Sequence, residues 1–189
     1  MMRHTTTQPL TTGRWSIDPA HSGVHFKVRH LGLTNVRGRF NGIDAWLIVG
    51  DDLAGTEIGA TIDIATVDTN QPDRDAHLRS TDFFSAEAHP VMTFTSSAIR
   101  PDGDDEFAVD GELTINGVSR PVTLAVEFSG VEIHAVDGRQ HAGFSATTQI
   151  LRDDFGIDFN MPLGVEKFAL GKKVDVEIDI QFVAPATTG

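Results

Sequence analysis

From Trp15 onward, apolar and polar residues alternate along most of the chain with a period of two, the pattern of strands that bury one face and wet the other. In Val24-His25-Phe26-Lys27-Val28-Arg29, one face offers Val24, Phe26 and Val28, and the other His25, Lys27 and Arg29. Ile58, Ala60, Ile62 and Ile64 interleave with Gly59, Thr61 and Asp63, and Val174, Val176, Ile178, Ile180 and Phe182 interleave with Asp175, Glu177, Asp179 and Gln181. Residues 107–128 read as a hairpin: Leu113 and Ile115 run into Asn116-Gly117, which tolerates the positive φ of a tight turn, and Val122, Leu124, Val126 and Phe128 run out of it. A longer loop reaching Arg120 fits the same residues. Only residues 72–79 predict a helix, with Asn70 as its cap, Pro72 in the first turn, and Asp73 and Asp75 placed to complement the helix dipole.

The alternation predicts roughly eight strands, separated by turn signals such as Asp51-Asp52, Asp102-Gly103-Asp104 and Asp137-Gly138, which suits a closed antiparallel barrel or a sandwich. The number of bulky inward positions favours the barrel. Twelve phenylalanines against two tryptophans and no tyrosine leave the aromatic surface almost without hydroxyls, so an interior built from it offers contacts to hydrocarbon and few hydrogen bonds. The plainer account is that these rings simply fill a core. With 189 residues, one domain is expected: a flexible segment over 1–13, the barrel over 14–183 and a frayed tail over 184–189.

Charge and composition exclude several classes. A net charge of -12 repels nucleic acid and an anionic bilayer at long range. No apolar run approaches the ~18 residues of a membrane-spanning helix, so stable membrane insertion is not expected. The absence of cysteine removes disulfides, thiolate nucleophiles and Cys-based zinc sites. Residues 1–13 contain no apolar signal segment, which points to a cytoplasmic protein, the alternative being an exported chain whose start is already processed.

The polar residues suggest little chemistry. His21 and His25 lie about 13 Å apart if both are on one strand. His77 has Thr81, not a ligand, four residues on, so no metal motif is read. Asp18, His21 and Ser22 supply the residue types of a nucleophilic triad, but in an extended chain a serine next to its base projects to the opposite face. Asp102, Asp104, Asp105 and Glu106 lack the ligand register of a calcium loop, and the glycines at 38, 42, 55 and 59 open no phosphate-binding helix. No cofactor is implied. Arg152-Asp153-Asp154-Phe155-Gly156 breaks the alternation, either as a plain bend or with Arg152 anchoring a barrel end or a ligand head group.

Several segments together resemble the YceI-like family of lipocalin-like, polyisoprenoid-binding proteins. They are Trp15-x-x-Asp18-Pro19-Ala20-His21-Ser22, Phe26-x-Val28-x-His30-Leu31, Val36-x-Gly38-x-Phe40, Arg74-Asp75-x-His77-Leu78 with Asp82-Phe83-Phe84, His89-Pro90 leading to Phe94-Thr95-Ser96, Gly111-x-Leu113-Thr114-Ile115-x-Gly117, and Arg152-x-x-Phe155-Gly156. The resemblance implies an extended eight-stranded antiparallel barrel with one short flanking helix, enclosing a channel for a long-chain lipid, and a role in carriage, storage or sequestration rather than catalysis. It also allows a homodimer, and it implies export for many members, from which this chain departs. The inward alternation sets nominate Phe26, Val28, Phe40, Ile62, Met92, Phe94, Leu113, Ile115, Phe144 and Phe155 as the lining, with Arg152 at a head group. The competing readings are an enzyme on a lipidic or quinone-like substrate, with His21 or His30 as base near Asp18 or Arg152, and a structural barrel filled by its own side chains.

Overall fold

A computed structural model describes residues 9–164 and 167–186. Its strands are β1 (Gly13–Ile17), β2 (Gly23–His30), β3 (Thr34–Phe40), β4 (Ile43–Val49), β5 (Glu57–Asp63), β6 (Val67–Asp68), β7 (Val91–Pro101), β8 (Glu106–Ile115), β9 (Val118–Ile133), β10 (Gln140–Leu151), β11 (Pro162–Gly164), β12 (Lys167–Phe168) and β13 (Leu170–Val183), with one helix, α1 (Pro72–Arg79). Eleven of these form one antiparallel sheet in the order β1-β4-β5-β7-β8-β9-β10-β13-β2-β3-β6, and β1 also pairs with β13. β1 and β2 are one long strand bent at the 3-10 turn Pro19–His21, β5 and β6 one strand bent at Ile64–Thr66, and β3 and β4 one strand bent at Asn41-Gly42. The sheet is therefore a closed meander of eight long strands, as expected. It closes where β13 meets β2 from Leu170↔His30 to Asp179↔Gly23, and meets β1 only at Phe182↔Ile17 and Val183↔Ser16. β11 and β12 form a separate two-stranded sheet before β13.

The alternation in the sequence sets the polarity of the wall. Ala146↔Ile178 and Phe144↔Ile180 pair inward across β10 and β13. On the outer face Lys27 lies 3.5 Å from Asp175 and 3.6 Å from Glu177, and Arg100 makes a forked pair with Asp110 at 2.8–3.0 Å. Apolar inside and charged outside is the reverse of a membrane-spanning barrel. No helix among the described residues is long and apolar enough to cross a membrane.

Local details refine the expectations. Asn116 and Gly117 take φ 53° and 72° and Ile115 pairs directly with Val118, so the hairpin uses the two-residue turn, and Arg120 is already paired with Leu113. Helix α1 starts and stops as predicted, but its cap is Gln71, whose side chain accepts from Arg74 N at 2.7 Å. Asn70 instead takes φ 59°, with its N–H bonded to Asp68 Oδ1 at 2.8 Å, and turns the chain into the helix. The break at Arg152 is a 3-10 turn, Arg152–Phe155, ended by Gly156 at φ 69°.

Ordered packing passes both expected domain boundaries. Leu10 packs on the core around Trp15, Thr11 N donates to Gln140 Oε1 at 2.9 Å, and Ala184 is buried with its N–H on Gln140 O at 2.9 Å. The segments around Thr11 and Ala184 both run beside the start of β10, which supplies the partners that an isolated tail lacks. The rest of those expected segments, 1–8 and 187–189, lies outside the described residues.

Two clusters anchor the barrel at opposite ends. One, beside α1, centres on Phe40, Ile62, Ile64, Phe83, Met92, Ile115, Phe155 and Ile157; the other holds Trp15, Ala45, Leu47, Ala142, Phe182 and Ala184. Trp15 is 0% exposed and donates Nε1–H to Thr11 O at 2.8 Å. Trp15→Ala should cost about 3–5 kcal/mol of stability, measured as a lowered urea midpoint, because it deletes the largest side chain of the cluster beside the short β1–β13 seam.

Candidate functional site

Between and around the two clusters runs a cavity of about 980 Å³ whose wall is drawn from the inward face of nearly every strand. Phe26 and Val28 on β2 face it, with Phe40 on β3 and Ile62 on β5. Met92 and Phe94 on β7, Leu113 and Ile115 on β8, and Phe144 on β10 continue the wall. Phe155 and Arg152 border it from the 3-10 turn after β10. All eleven residues nominated from the sequence thus border one space. Phe40, Ile62, Met92, Ile115 and Phe155 also belong to the core at the α1 end, so they close that end as well as line it.

The mouths were not legible residue by residue. At one end α1 lies across the barrel and turns Arg74, His77 and Leu78, spaced i, i+3 and i+4, toward the cavity, with Phe83, Phe84, His30, Phe159 and Met161 around them. His77 packs edge-on against Phe83 and Phe159, each at 5.0 Å, and its Nε2 lies 2.7 Å from Asp82 Oδ2. Arg74 is tied down by Nε–H to Thr69 Oγ1 at 2.7 Å and Nη2–H to Thr69 O at 2.8 Å, and buried Asp75 accepts from Thr69 N at 2.8 Å. The other end is bordered by Leu10, Gly50, Leu53 and Thr56 together with Asp52, Asp104 and Asp105. One mouth is therefore basic and the other acidic. The helical spacing of Arg74 and His77 is the available signal; around Asp104 and Asp105 the sequence marks only a turn.

Asp18, His21 and Ser22 border no part of the cavity. Asp18 accepts from His21 Nδ1 at 2.8 Å and from Ala20 N at 3.0 Å, and the His21 bond is the main cause of a carboxyl pKa below the ordinary value. Ser22 Oγ donates to Asp18 O at 2.7 Å and accepts from Gln181 N at 3.0 Å. The trio caps a turn and fastens it to β13.

A model of the YceI-like domain matches residues 15–182. The chain belongs to the YceI-like domain family. It is 39% identical over 171 residues to a UPF0312 protein of Staphylococcus epidermidis, covering 89% of this chain and 96% of that one. Its structure is similar to BcnA of Burkholderia cenocepacia, with TM-score 0.76 and 23% identity over 87% of this chain and 98% of that one. It is also similar to a polyisoprenoid binding domain from Saccharophagus degradans implicated in plant cell wall breakdown, with TM-score 0.65 and 20% identity over 90% and 98% of the two chains. At those identities the two structures speak for the fold.

The segments that carry the YceI-like pattern have physical roles in the wall. Gly38 sits opposite Phe26, and a Cβ on it would meet the ring at 2.3 Å. Gly111 is likewise covered by Phe94, with a virtual Cβ 2.4 Å from the ring and 2.6 Å from Thr95 O. Both rings lie back against bare backbone and leave the bore open. Gly111→Ala should destabilise the barrel by about 1–3 kcal/mol, because relief requires Phe94 to swing inward while a backbone oxygen also crowds the new methyl. Urea unfolding gives the cost, and a crystal structure of the variant should show the ring displaced into the bore.

Arg152 is buried at 6% exposure, donating Nε–H to Gly171 O at 2.9 Å and Nη1–H to Ile157 O and Phe159 O, both at 2.8 Å. Burial lowers its pKa from the ordinary guanidinium value, while Asp153 and Asp158 act in the opposite sense. Of the two roles expected for it, anchoring the barrel end is the one its bonds perform. Arg152→Met should cost at least about 2 kcal/mol, since each buried carbonyl left without a donor is worth roughly 1–3 kcal/mol. Arg152→Lys should recover only part of that, because a single ammonium cannot reproduce the fork.

Proposed function

We propose that this protein binds a long-chain apolar ligand, a polyisoprenoid, an isoprenoid quinone or a related lipid, along its channel, and acts in carriage, storage or sequestration. The observation that carries the reading is the cavity: about 980 Å³, walled by aliphatic and phenyl groups, with polar side chains gathered at its ends. A wall of this extent facing empty space has no partner atoms on one side and forfeits their dispersion contacts. Water relieves little of this, because a wall of Val, Ile, Leu and Phe gives it too few partners. A hydrocarbon chain restores the lost contacts, each buried CH₂ contributing roughly 0.8 kcal/mol.

The polyisoprenoid binding of the domain from Saccharophagus degradans supports the ligand class, and membership of the family supports a binding protein over an enzyme. The open bore speaks against a barrel filled by its own side chains. The named lining residues would contact the chain of the ligand, and the basic mouth formed by Arg74, His77 and His30 would receive its polar end.

Native mass spectrometry of the purified chain, followed by organic extraction, should reveal one long-chain lipid per barrel; a ligand-free mass that persists after incubation with prenyl quinones and polyprenols would overturn the reading. Ala146 is 7% exposed and borders the channel. Ala146→Phe should narrow the bore and shift the bound population to shorter chains, at a stability cost of about 1–3 kcal/mol.

A further inference from the structure

The tip of the β9–β10 hairpin gathers three ligand-type side chains outside the channel. Gly138 N donates to His134 O at 2.8 Å, His134 N donates to Arg139 O at 2.9 Å, and Gly138 adopts φ 68°, so the chain reverses within a few residues. The reversal stacks the rings of His134 and His141, with centroids 4.6 Å apart and planes at 26°. Asp137 reaches a ring nitrogen of each, its carboxylate 3.0 Å from His141 Nε2 and 3.7 Å from His134 Nδ1. One ligand atom from each residue lies within 4.8 Å of the other two, and among the described residues no other three histidine or acidic side chains come together in this way.

The site is supported from behind. His141 is only 11% exposed, and its Nδ1 accepts from Gln181 Nε2 at 2.8 Å, which leaves Nε2 aimed at Asp137. Metal-bound imidazoles donate the remote ring N–H to an acceptor, a role the Gln181 amide fills once it is turned to present Oε1 to Nδ1. Gln181 is itself held on β13, its Nε2 also reaching Asp18 Oδ2 at 3.2 Å. With metal–nitrogen and metal–oxygen bonds of about 2.0–2.2 Å, tetrahedral ligand atoms lie roughly 3.4 Å apart, so His134 has to close on His141 and Asp137, which are already near enough to each other. His134 and Asp137, 50% and 30% exposed, are free to make that adjustment by side-chain rotation.

We infer that His134, Asp137 and His141 bind one first-row divalent transition ion, of which Zn²⁺ is the reference case, through two imidazole nitrogens and one carboxylate oxygen, with the remaining positions open to water. The donor set selects the ion class: imidazole suits zinc, copper and nickel, whereas calcium and magnesium want oxygen alone. Binding at Nε2 moves the His141 proton to Nδ1, which then donates to Gln181 Oε1 once the amide has turned; the turn gives up the 3.2 Å bond from Gln181 Nε2 to Asp18 Oδ2, and Asp18 keeps its bonds from His21 Nδ1 and Ala20 N. The ion ties the hairpin to the barrel seam, because Arg139 Nη1 donates to Ala184 O at 3.3 Å and Asp18 N to Gln181 O at 2.7 Å on the same edge. This assignment is independent of what the channel holds.

The test is calorimetric titration of the full, tag-free chain with zinc chloride after chelator treatment, with far-UV circular dichroism to confirm that each variant is folded. One Zn²⁺ per chain is expected, weakened at least about tenfold by H134A, D137N and H141A, about tenfold by Q181A, and unchanged by H25A and H89A. X-ray absorption at one equivalent of zinc should show two imidazoles in the first shell, and zinc should raise the melting temperature of the wild type but not of H134A. The assignment is overturned if the wild type takes up no stoichiometric zinc, if H134A and H141A bind as tightly as the wild type, or if the first shell holds no imidazole.

Discussion

The structure depends on how the inner face of a closed sheet is filled. A barrel of eight strands leaves an interior that side chains can just fill or that can hold a single ligand, so small choices at the wall decide between a core and a channel. Here the choice is made where phenyl rings meet glycine. Phe26 over Gly38 and Phe94 over Gly111 spend their bulk against the backbone of the neighbouring strand rather than across the bore. The same device on the outer face lets Trp46 lie over Gly59, where Arg14 stacks on it at 4.8 Å. An aromatic ring paired with glycine covers backbone that would otherwise be bare, and inside the barrel it also buys width.

Keeping the bore open shifts the burden of cohesion to the ends. The cluster beneath α1 and the cluster around Trp15 supply the tightly packed residues, and the turn at Arg152 holds the first of them by donating to three backbone carbonyls. At the other end the β1–β13 contact is only two residue pairs long. It is reinforced by bonds from Asp18, Ser22 and Gln181, and by the chain on either side of it, from Leu10 through Ala184. These ends are also where the polar residues collect, which gives the channel a basic mouth and an acidic one.

Period-two alternation made the wall legible, because a residue's face on a strand follows from parity alone once the strand is recognised. That is why Phe26, Ile62, Phe94, Leu113 and Phe144, chosen by parity, all border one cavity. What parity cannot carry is anything assembled across turns. The cap of α1 fell to Gln71 because Asn70 was needed in a left-handed conformation one step earlier, a competition between two favourable local roles for adjacent residues. His134 and His141 are seven apart, a separation that says nothing until a tight reversal between them is placed to the residue. Likewise Asp104 and Asp105 become a mouth only when the β7–β8 turn is set beside Asp52, which lies between β4 and β5 in the chain. Gly38 and Gly111 were visible as part of a family pattern, but their purpose lies in the ring on the neighbouring strand.

A channel of this kind also limits how a ligand can be recognised. At roughly 0.8 kcal/mol per CH₂, about twenty-five methylenes would already exhaust the strongest non-covalent affinities known. Ordering of the chain and imperfect contact use part of that gain, yet beyond a few isoprene units, added length does little to distinguish one ligand from another. Discrimination then rests on where the bore stops and on what the ends accept. The rings of Phe128, Phe144 and Phe182, packed at 5.1 and 6.1 Å, narrow the acidic end, whereas the basic end is closed by a helix and a loop rather than by paired strands. A helix held to its neighbours by side chains can shift without breaking a sheet hydrogen bond, and a strand in a closed barrel cannot. If the channel takes up a lipid as proposed, this asymmetry favours passage at the α1 end, where Arg74 and His77 border the cavity, and length selection at the opposite end.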